Sequence, residues 1–367
     1  MTPYDDLDTP ALVFDLDIVE RNIADMAEVA RSNGVRLRPH TKTHKSPFIA
    51  RMQVAAGAHG ITVAKLGEAE VMVDAGFDDV LIAYPLVGRA KLRRLRALME
   101  RAAISVSLDA VEVAEGIGAV GTDVGRPIPV LVEVDTGHHR MGLPPGERSA
   151  ALAQAIAHVP GVEVMGLLTH AGHAYEAAAP AELRRIAESE ALDLIRTAEL
   201  CRDAGLELRE VSIGSTPTVR AGARVEGVTE IRPGTYVFND VQQLRLGAAS
   251  LDACGARILS TVVARPTAER FLIDAGSKSF SSDGGSGPPY PGRGVVVGRP
   301  DLVIDFTTEE HGVGHLTENG GTLSIGERLE VIPVHVCSAV NLFDGAFGVR
   351  HRELERPIPI AARGRSQ

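Results

Sequence analysis

Arg38-Pro39-His40-Thr41-Lys42-Thr43-His44-Lys45 runs directly on from a short apolar stretch at 35–37. An apolar run that ends in a loop with two lysines and two histidines reads as a strand delivering reactive side chains to a sheet edge. A lysine held there can form a covalent bond with a carbonyl group. A solvated basic loop is the plainer alternative. The rest of the chain decides between the two.

Outward from this stretch, short apolar runs recur at 60–63, 80–83, 104–108, 128–134, 162–168, 210–213 and 228–231. Between them lie segments with helical spacing, such as 65–75, 89–101, 147–158 and 181–204. Gly34, Gly57, Gly76, Gly161 and Gly205 each fall where a helix should stop. Eight strands alternating with helices predict a parallel sheet closed as a (β/α)8 TIM-type barrel. An open doubly wound sheet is the alternative, but no Gly-x-Gly-x-x-Gly follows the first strand. After Asp240 the helical periodicity fades. Strand-like runs appear at 258–263, 271–273, 294–297, 302–304 and 329–335, around a Gly/Pro/Ser-rich loop at 281–291 and an acidic turn at 309–315. The expected organisation is a barrel over 10–243 and a mostly β domain over 244–367, joined by residues 1–9.

The 367 residues carry a net charge of −10, with 44% hydrophobic and 23% charged residues. This is an ordinary globular composition, and the acidic balance argues against a nucleic-acid partner. Cys201, Cys254 and Cys337 are too few and too scattered for a disulfide framework. No apolar run approaches the roughly 20 residues of a membrane span, and the acidic start Met1-Thr2-Pro3-Tyr4-Asp5-Asp6 lacks a signal-peptide core. A cytoplasmic protein is expected.

The unusual residue clusters fall at strand ends, where barrels keep their catalytic groups. His40 and Lys42 follow the first strand. Asp135-Thr136-Gly137-His138-His139-Arg140-Met141-Gly142 follows the fifth, and His170-Ala171-Gly172-His173-Ala174-Tyr175 the sixth. Gly214-Ser215-Thr216-Pro217-Thr218 follows the seventh, and Arg232-Pro233-Gly234-Thr235-Tyr236 the eighth. Gly214-Ser215-Thr216 suits a phosphate, because glycine admits backbone N–H groups and two hydroxyls donate. A lysine and a phosphate cradle on one rim suggest pyridoxal 5'-phosphate.

These motifs, together with Asp8-Thr9-Pro10-Ala11-Leu12 and His335-Val336-Cys337, run nearly end to end. The chain resembles the D-threonine aldolase / D-serine dehydratase family, which shares the alanine racemase type of pyridoxal-phosphate fold. The resemblance implies that Lys42 rather than Lys45 binds the cofactor carbonyl and that Arg140 contacts the cofactor phenolate. It further implies that Tyr236 joins Gly214, Ser215, Thr216 and Gly234 at the phosphate. His40, His170, Tyr175 and Arg232 complete the expected cofactor residues, with Lys42 and His170 as the catalytic pair. Strand alternation would place Arg38, His40 and Lys42 on one face and leave Lys45 out in the loop.

His335 and Cys337, two apart on a predicted strand, would project from the same face. Alone, such a pair is more often structural. The resemblance implies a divalent-metal site, for which imidazole with thiolate favours zinc over manganese or magnesium. It also implies a lyase acting on D-β-hydroxy-α-amino acids, D-threonine aldolase-like. A D-serine or D-3-hydroxyaspartate dehydratase is the alternative, and an amino-acid racemase a further one. Cys337 matches the dehydratase branch, whereas Asn341-Leu342-Phe343-Asp344 is aldolase-like. Arg232 stands where racemases of this fold set an arginine against the pyridine nitrogen. A homodimer is expected.

Overall fold

The computed structural model describes residues 4–284, 287–317 and 321–367. Residues 285–286 of the Gly/Pro/Ser-rich loop lie outside the described residues. The first strand, β1 (Ala11–Asp15), leads into helix α1 (Leu16–Ser32). Eight parallel strands follow: β2 (Arg36–Leu37), β3 (Ile61–Val63), β4 (Asp79–Ile82), β5 (Ala103–Leu108), β6 (Ile128–Glu133), β7 (Val162–Leu168), β8 (Glu210–Ile213) and β9 (Glu230–Ile231). Their order is β2-β9-β8-β7-β6-β5-β4-β3. A parallel bridge between His40 and Thr62, with Thr62 N–H donating to Pro39 O at 2.9 Å, joins the two ends of that order. The barrel expected from the alternation is therefore present.

Helices α2 (Pro47–Ala55), α3 (Leu66–Asp74), α4 (Arg89–Met99), α5 (Val111–Asp123), α6 (Glu147–Ala157) and α7 (Pro180–Asp203) alternate with these strands. The strands bury almost every residue, which a parallel sheet covered by helices requires. The helices bury one stripe each. In α7 the stripe is Leu183, Ile186, Ala187, Ala191, Leu194, Ala198 and Cys201, at three- and four-residue intervals. Gly205, with φ +91°, ends α7: its N–H bonds Arg202 O at 2.8 Å, and Leu206 N–H reaches back to Cys201 O at 3.0 Å.

Inside this unit, Arg38 donates to Glu230 at 2.8 Å and to Asp79 at 2.6 and 3.2 Å. Glu230 also receives the Ser212 hydroxyl at 2.6 Å and is 2% exposed. Glu230→Ala would strand the Arg38 charge, which Asp79 alone holds from a half-exposed position. The expected cost is about 3–5 kcal/mol, measured as a lower denaturation midpoint with an unchanged slope.

The remaining strands are β10 (Ala256–Ala264), β11 (Arg270–Ile273), β12 (Gly294–Val296), β13 (Leu302–Thr307), β14 (Gly312–Leu316), β15 (Arg328–Pro333), β16 (Gly345–Arg350) and β17 (Glu353–Pro359). With β1 they form one sheet, β13-β14-β11-β10-β1-β16-β17, in which β15 pairs with both β10 and β12. The segment expected as an acidic turn at 309–315 is largely strand β14, in register with β13 through Leu302 and Leu316.

The boundary at residue 10 needs correction. Strand β1 pairs antiparallel with β10 and parallel with β16, so it belongs to the β sheet and not to the barrel. One compact unit comprises Met1–Ala24, Thr43–Phe48 and Thr235–Arg363; the other comprises Asp25–Lys42, Ile49–Gly234 and Gly364–Gln367. Packing explains the shift. Tyr4, Leu7, Ala11, Val13, Leu259 and Val349 share one core cluster, and Phe14 stacks on Phe238 at 4.3 Å between centroids.

Candidate active site

Strand β2 stops at Leu37, short of the lysine. Alternation therefore does not aim Lys42, contrary to the sequence expectation. A one-turn 3-10 helix, Thr41–Thr43, carries it. Thr41 Oγ1 donates to Thr62 O at 3.1 Å, Thr62 Oγ1 donates to Arg38 O at 3.0 Å, and Lys42 N–H donates to His40 Nδ1 at 3.4 Å. These bonds pin the turn to the start of β3. Lys42 is half-buried within the barrel unit. Lys45, expected further out in the loop with no strand to fix it, is held in place. It is buried, has φ +49°, accepts from Ala362 N–H at 3.0 Å through its carbonyl, and groups with the other unit.

The loop after β6 is organised by Asp135, whose carboxylate accepts from Gly137 N–H at 3.0 Å and His139 N–H at 2.9 Å. Gly142, with φ +91°, lies so close to Glu133 O that a Cβ would come within 2.6 Å. Arg140 leaves this loop and donates to Glu133 Oε1 at 3.2 Å. After β7, His170 Nδ1 donates to the carbonyl of Gly214. That contact fixes the tautomer and leaves Nε2 with the lone pair. The His138 ring meets His170 edge-on at 5.7 Å and also packs against Gly172. His173 sits over Gly137, where a Cβ would be 3.1 Å from its ring. Tyr175 lies half-buried in the same loop, in the 3-10 segment Gly172–Glu176.

After β8, Gly214 approaches Arg232 so closely that a Cβ would lie 3.1 Å from the Arg232 Cβ. Ser215 and Thr216 are 4% and 8% exposed. After β9, buried Arg232 donates to Ser212 Oγ and, at 2.6 Å, to Thr169 O. Gly234 closes the barrel unit, whereas buried Tyr236 groups with the β unit.

The electrostatics show which of these residues stand together. Burial, then the charges of Lys42, Arg232, His170 and Arg140, hold His40 well below the usual imidazole range. Burial, then Lys42 and Arg140, does the same to His170. Five of the expected cofactor residues thus share one field, with two neutral imidazoles among three cations. Burial comes first in raising the Glu133 carboxyl, against the pull of Arg140 and Arg232.

In the β unit, β15 ends at Pro333, so the expected strand does not reach His335. His335 instead caps the short helix Val336–Val340, and Cys337 lies in its first turn. The two side chains still meet. Burial opposes a charge on His335, but the hydrogen bond to Cys337 and the charges of Cys337, Asp240 and Asp283 outweigh it, raising the imidazole to about 9. Asp283 Oδ2 lies 2.8 Å from His335 Nδ1, and Cys337 Sγ lies 3.2 Å from the Thr43 hydroxyl and 3.8 Å from that of Thr235. Thr43 is the residue after Lys42 in the chain. Fully buried Asp240 accepts from Val336 N–H at 3.0 Å and from Gln243 N–H at 3.1 Å, setting the angle of the helix start. Among the described residues no group of three or more His, Cys, Asp or Glu side chains is arranged around a metal position.

Asp240, Asp283 and Glu190 were not singled out from the sequence. The signal for Glu190 was present, as a carboxylate on the apolar stripe of α7. Asp240 opens the Asp-x-x-Gln pattern of a helix cap. Asp283 had none beyond its place in a glycine-rich loop.

The chain matches the family of the alanine racemase N-terminal domain over residues 14–241 and that of the putative serine dehydratase domain over residues 255–349. It is 37% identical to a D-threo-3-hydroxyaspartate dehydratase of Delftia sp. (strain HT23), covering 90% of this chain and 91% of that one. It is 34% identical to a D-threonine aldolase of Arthrobacter sp., over 100% and 95%. A crystal structure of D-threonine aldolase from Filomicrobium marinum superposes with a TM-score of 0.93 at 33% identity, covering 100% and 98%. A D-threo-3-hydroxyaspartate dehydratase, 34% identical with a TM-score of 0.91, has been solved as a histidine-to-alanine mutant and as a cysteine-to-alanine mutant in a metal-free form, at two positions spaced like His335 and Cys337. With both halves and the whole length matched, the chain belongs to the D-threonine aldolase / D-serine dehydratase family of alanine racemase-like lyases.

Proposed function

We propose that this protein is a pyridoxal-phosphate- and divalent-metal-dependent lyase acting on D-β-hydroxy-α-amino acids. The observation that carries the reading is the His335–Cys337 pair with Asp283 behind it. Asp283 engages Nδ1, which leaves Nε2 for a cation, the arrangement by which carboxylates orient metal-binding histidines. Nitrogen and sulfur donors suit zinc, and two protein ligands leave positions for substrate and water. The barrel residues fit the cofactor equally well: two arginines and buried hydroxyls suit an anionic group, and a lysine stands with them for its carbonyl.

When bound, pyridoxal phosphate supplies an electron sink for charge left at Cα, and a divalent cation supplies Lewis acidity at the β-hydroxyl. Lys42 would hold the cofactor carbonyl. Ser215 and Thr216 would donate to the phosphate, and Arg140 and Arg232 would balance negative charge. Arg232 stays charged and cannot hand a proton to the ring nitrogen. His40, Tyr175 and Gly234 line the same rim, and Tyr236 is assigned to the phosphate by the family resemblance. The neutral His170, with its lone pair on Nε2, accepts the β-hydroxyl proton in cleavage. The amine of Lys42 takes the Cα proton in elimination. The proposed cofactor residues lie mainly in the barrel unit, and the proposed metal ligands lie in the β unit. A cytoplasmic homodimer belongs to the same proposal and is checked by sizing the holoenzyme.

Retro-aldol cleavage of the D-threonine aldolase type gives glycine and an aldehyde. Elimination of the dehydratase type gives a 2-oxo acid and ammonia. By the family resemblance, Cys337 matches the dehydratase branch. Incubation with D-threonine, D-serine and D-3-hydroxyaspartate, with and without chelator, separates the readings. Glycine marks cleavage, ammonia marks elimination, and turnover untouched by chelator would support racemisation instead. Replacing Ser215 and Thr216 together by Ala is expected to weaken cofactor retention on dialysis. Each lost bond to a charged phosphate is worth roughly 1.5–3 kcal/mol; unchanged retention would move the phosphate elsewhere.

A further inference from the structure

Glu190 sits on the buried stripe of α7 and is 1% exposed. A carboxyl group there is costly unless donors meet it. Three do. Ala171 N–H donates to Oε1 at 3.0 Å, Thr218 Oγ1–H donates to Oε2 at 3.0 Å, and Gly214 N–H donates to the same group. Ala171 follows His170 in the loop after β7. Gly214 and Thr218 bracket Ser215 and Thr216 in the loop after β8. A second link joins the same two loops, from His170 Nδ1 to Gly214 O. The contact between Ser215 Oγ and Thr218 Oγ1, at 2.9 Å, extends the chain of polar groups to the cradle itself.

We propose that Glu190 is a positioning residue for the cofactor phosphate, holding the 214–218 loop in register with His170. The inference rests on the reading that this loop binds the phosphate of pyridoxal phosphate. Glu190 reaches the cofactor only through its neighbours, so its effect should fall on recognition of the phosphate and not on the bond to Lys42.

The test compares pyridoxal phosphate with pyridoxal, which has the same carbonyl and no phosphate. Cofactor-free protein is titrated with each, and the absorbance of the lysine-bound form is followed. Glu190→Ala is expected to weaken pyridoxal phosphate about tenfold or more, the scale of one charged hydrogen bond, while pyridoxal affinity changes little. Glu190→Gln, which keeps the side-chain length and an oxygen to accept from Ala171 N–H, should recover most of the preference. An unchanged preference in Glu190→Ala overturns the inference. So does an equal loss of both ligands, which would show general damage to the fold, or a Gln variant as weak as Ala. If the unaltered protein binds neither ligand, the cofactor reading fails first and the inference with it.

Discussion

Lys42→Ala is expected to lose the visible-edge absorbance that pyridoxal phosphate gives with the unaltered protein, and to lose turnover with it. Two roles end together. The amine that binds the cofactor carbonyl is gone, and so is the group proposed to take the Cα proton. Loss of proton transfer alone is worth on the order of 10²–10⁴ in rate. Lys45→Ala is the control and should keep the absorbance. The two lysines are three residues apart but stand in different surroundings. Lys42 shares a field with His40, His170, Arg140 and Arg232, whereas Lys45 groups with the β unit, its carbonyl holding Ala362. Absorbance lost in Lys45→Ala and kept in Lys42→Ala would reverse the assignment.

Cys337→Ala is expected to strip the divalent metal and abolish lyase turnover while the cofactor absorbance persists. Outer-shell partners of a metal typically matter by about 10–100-fold in affinity, and loss of one of two ligands should exceed that. The cofactor should survive because its proposed ligands lie mainly in the barrel unit, whereas His335, Cys337 and Asp283 lie in the other. Metal content after dialysis and absorbance of the same sample read the two effects separately. Cys337→Asp is the sharper variant, since a carboxylate is a harder ligand and should shift preference from zinc toward manganese or magnesium. Cleavage outpacing elimination in a manganese-supported Cys337→Asp protein would place the chain near the aldolase branch. Metal and full turnover retained in Cys337→Ala would leave the cysteine a structural neighbour of the histidine.

The eight barrel strands were legible because each is a short apolar run bounded by a helical stretch and a stop signal. Both periods are local, so a window of a few residues contains them. The rim motifs were legible for the same reason, since each follows directly on its strand. Strand β17 was missed because its stretch, Glu353–Pro359, has two prolines, exposes most of its residues, and among the described residues pairs with β16 alone.

By itself the sequence determined the alternating barrel, the later β region and the residue types at the rim, all consequences of neighbours along the chain. Tertiary structure alone decided the rest. It took β1 out of the barrel, because the edges that complete Ala11–Asp15 belong to β10 and β16. It set Lys42 by a turn tied to Thr62, where strand alternation could not reach. It brought His335 and Cys337 together at a helix start, with Asp240 and Asp283 supplied from distant loops. Such partners are matched by closure of the fold around them, and no local period carries that information.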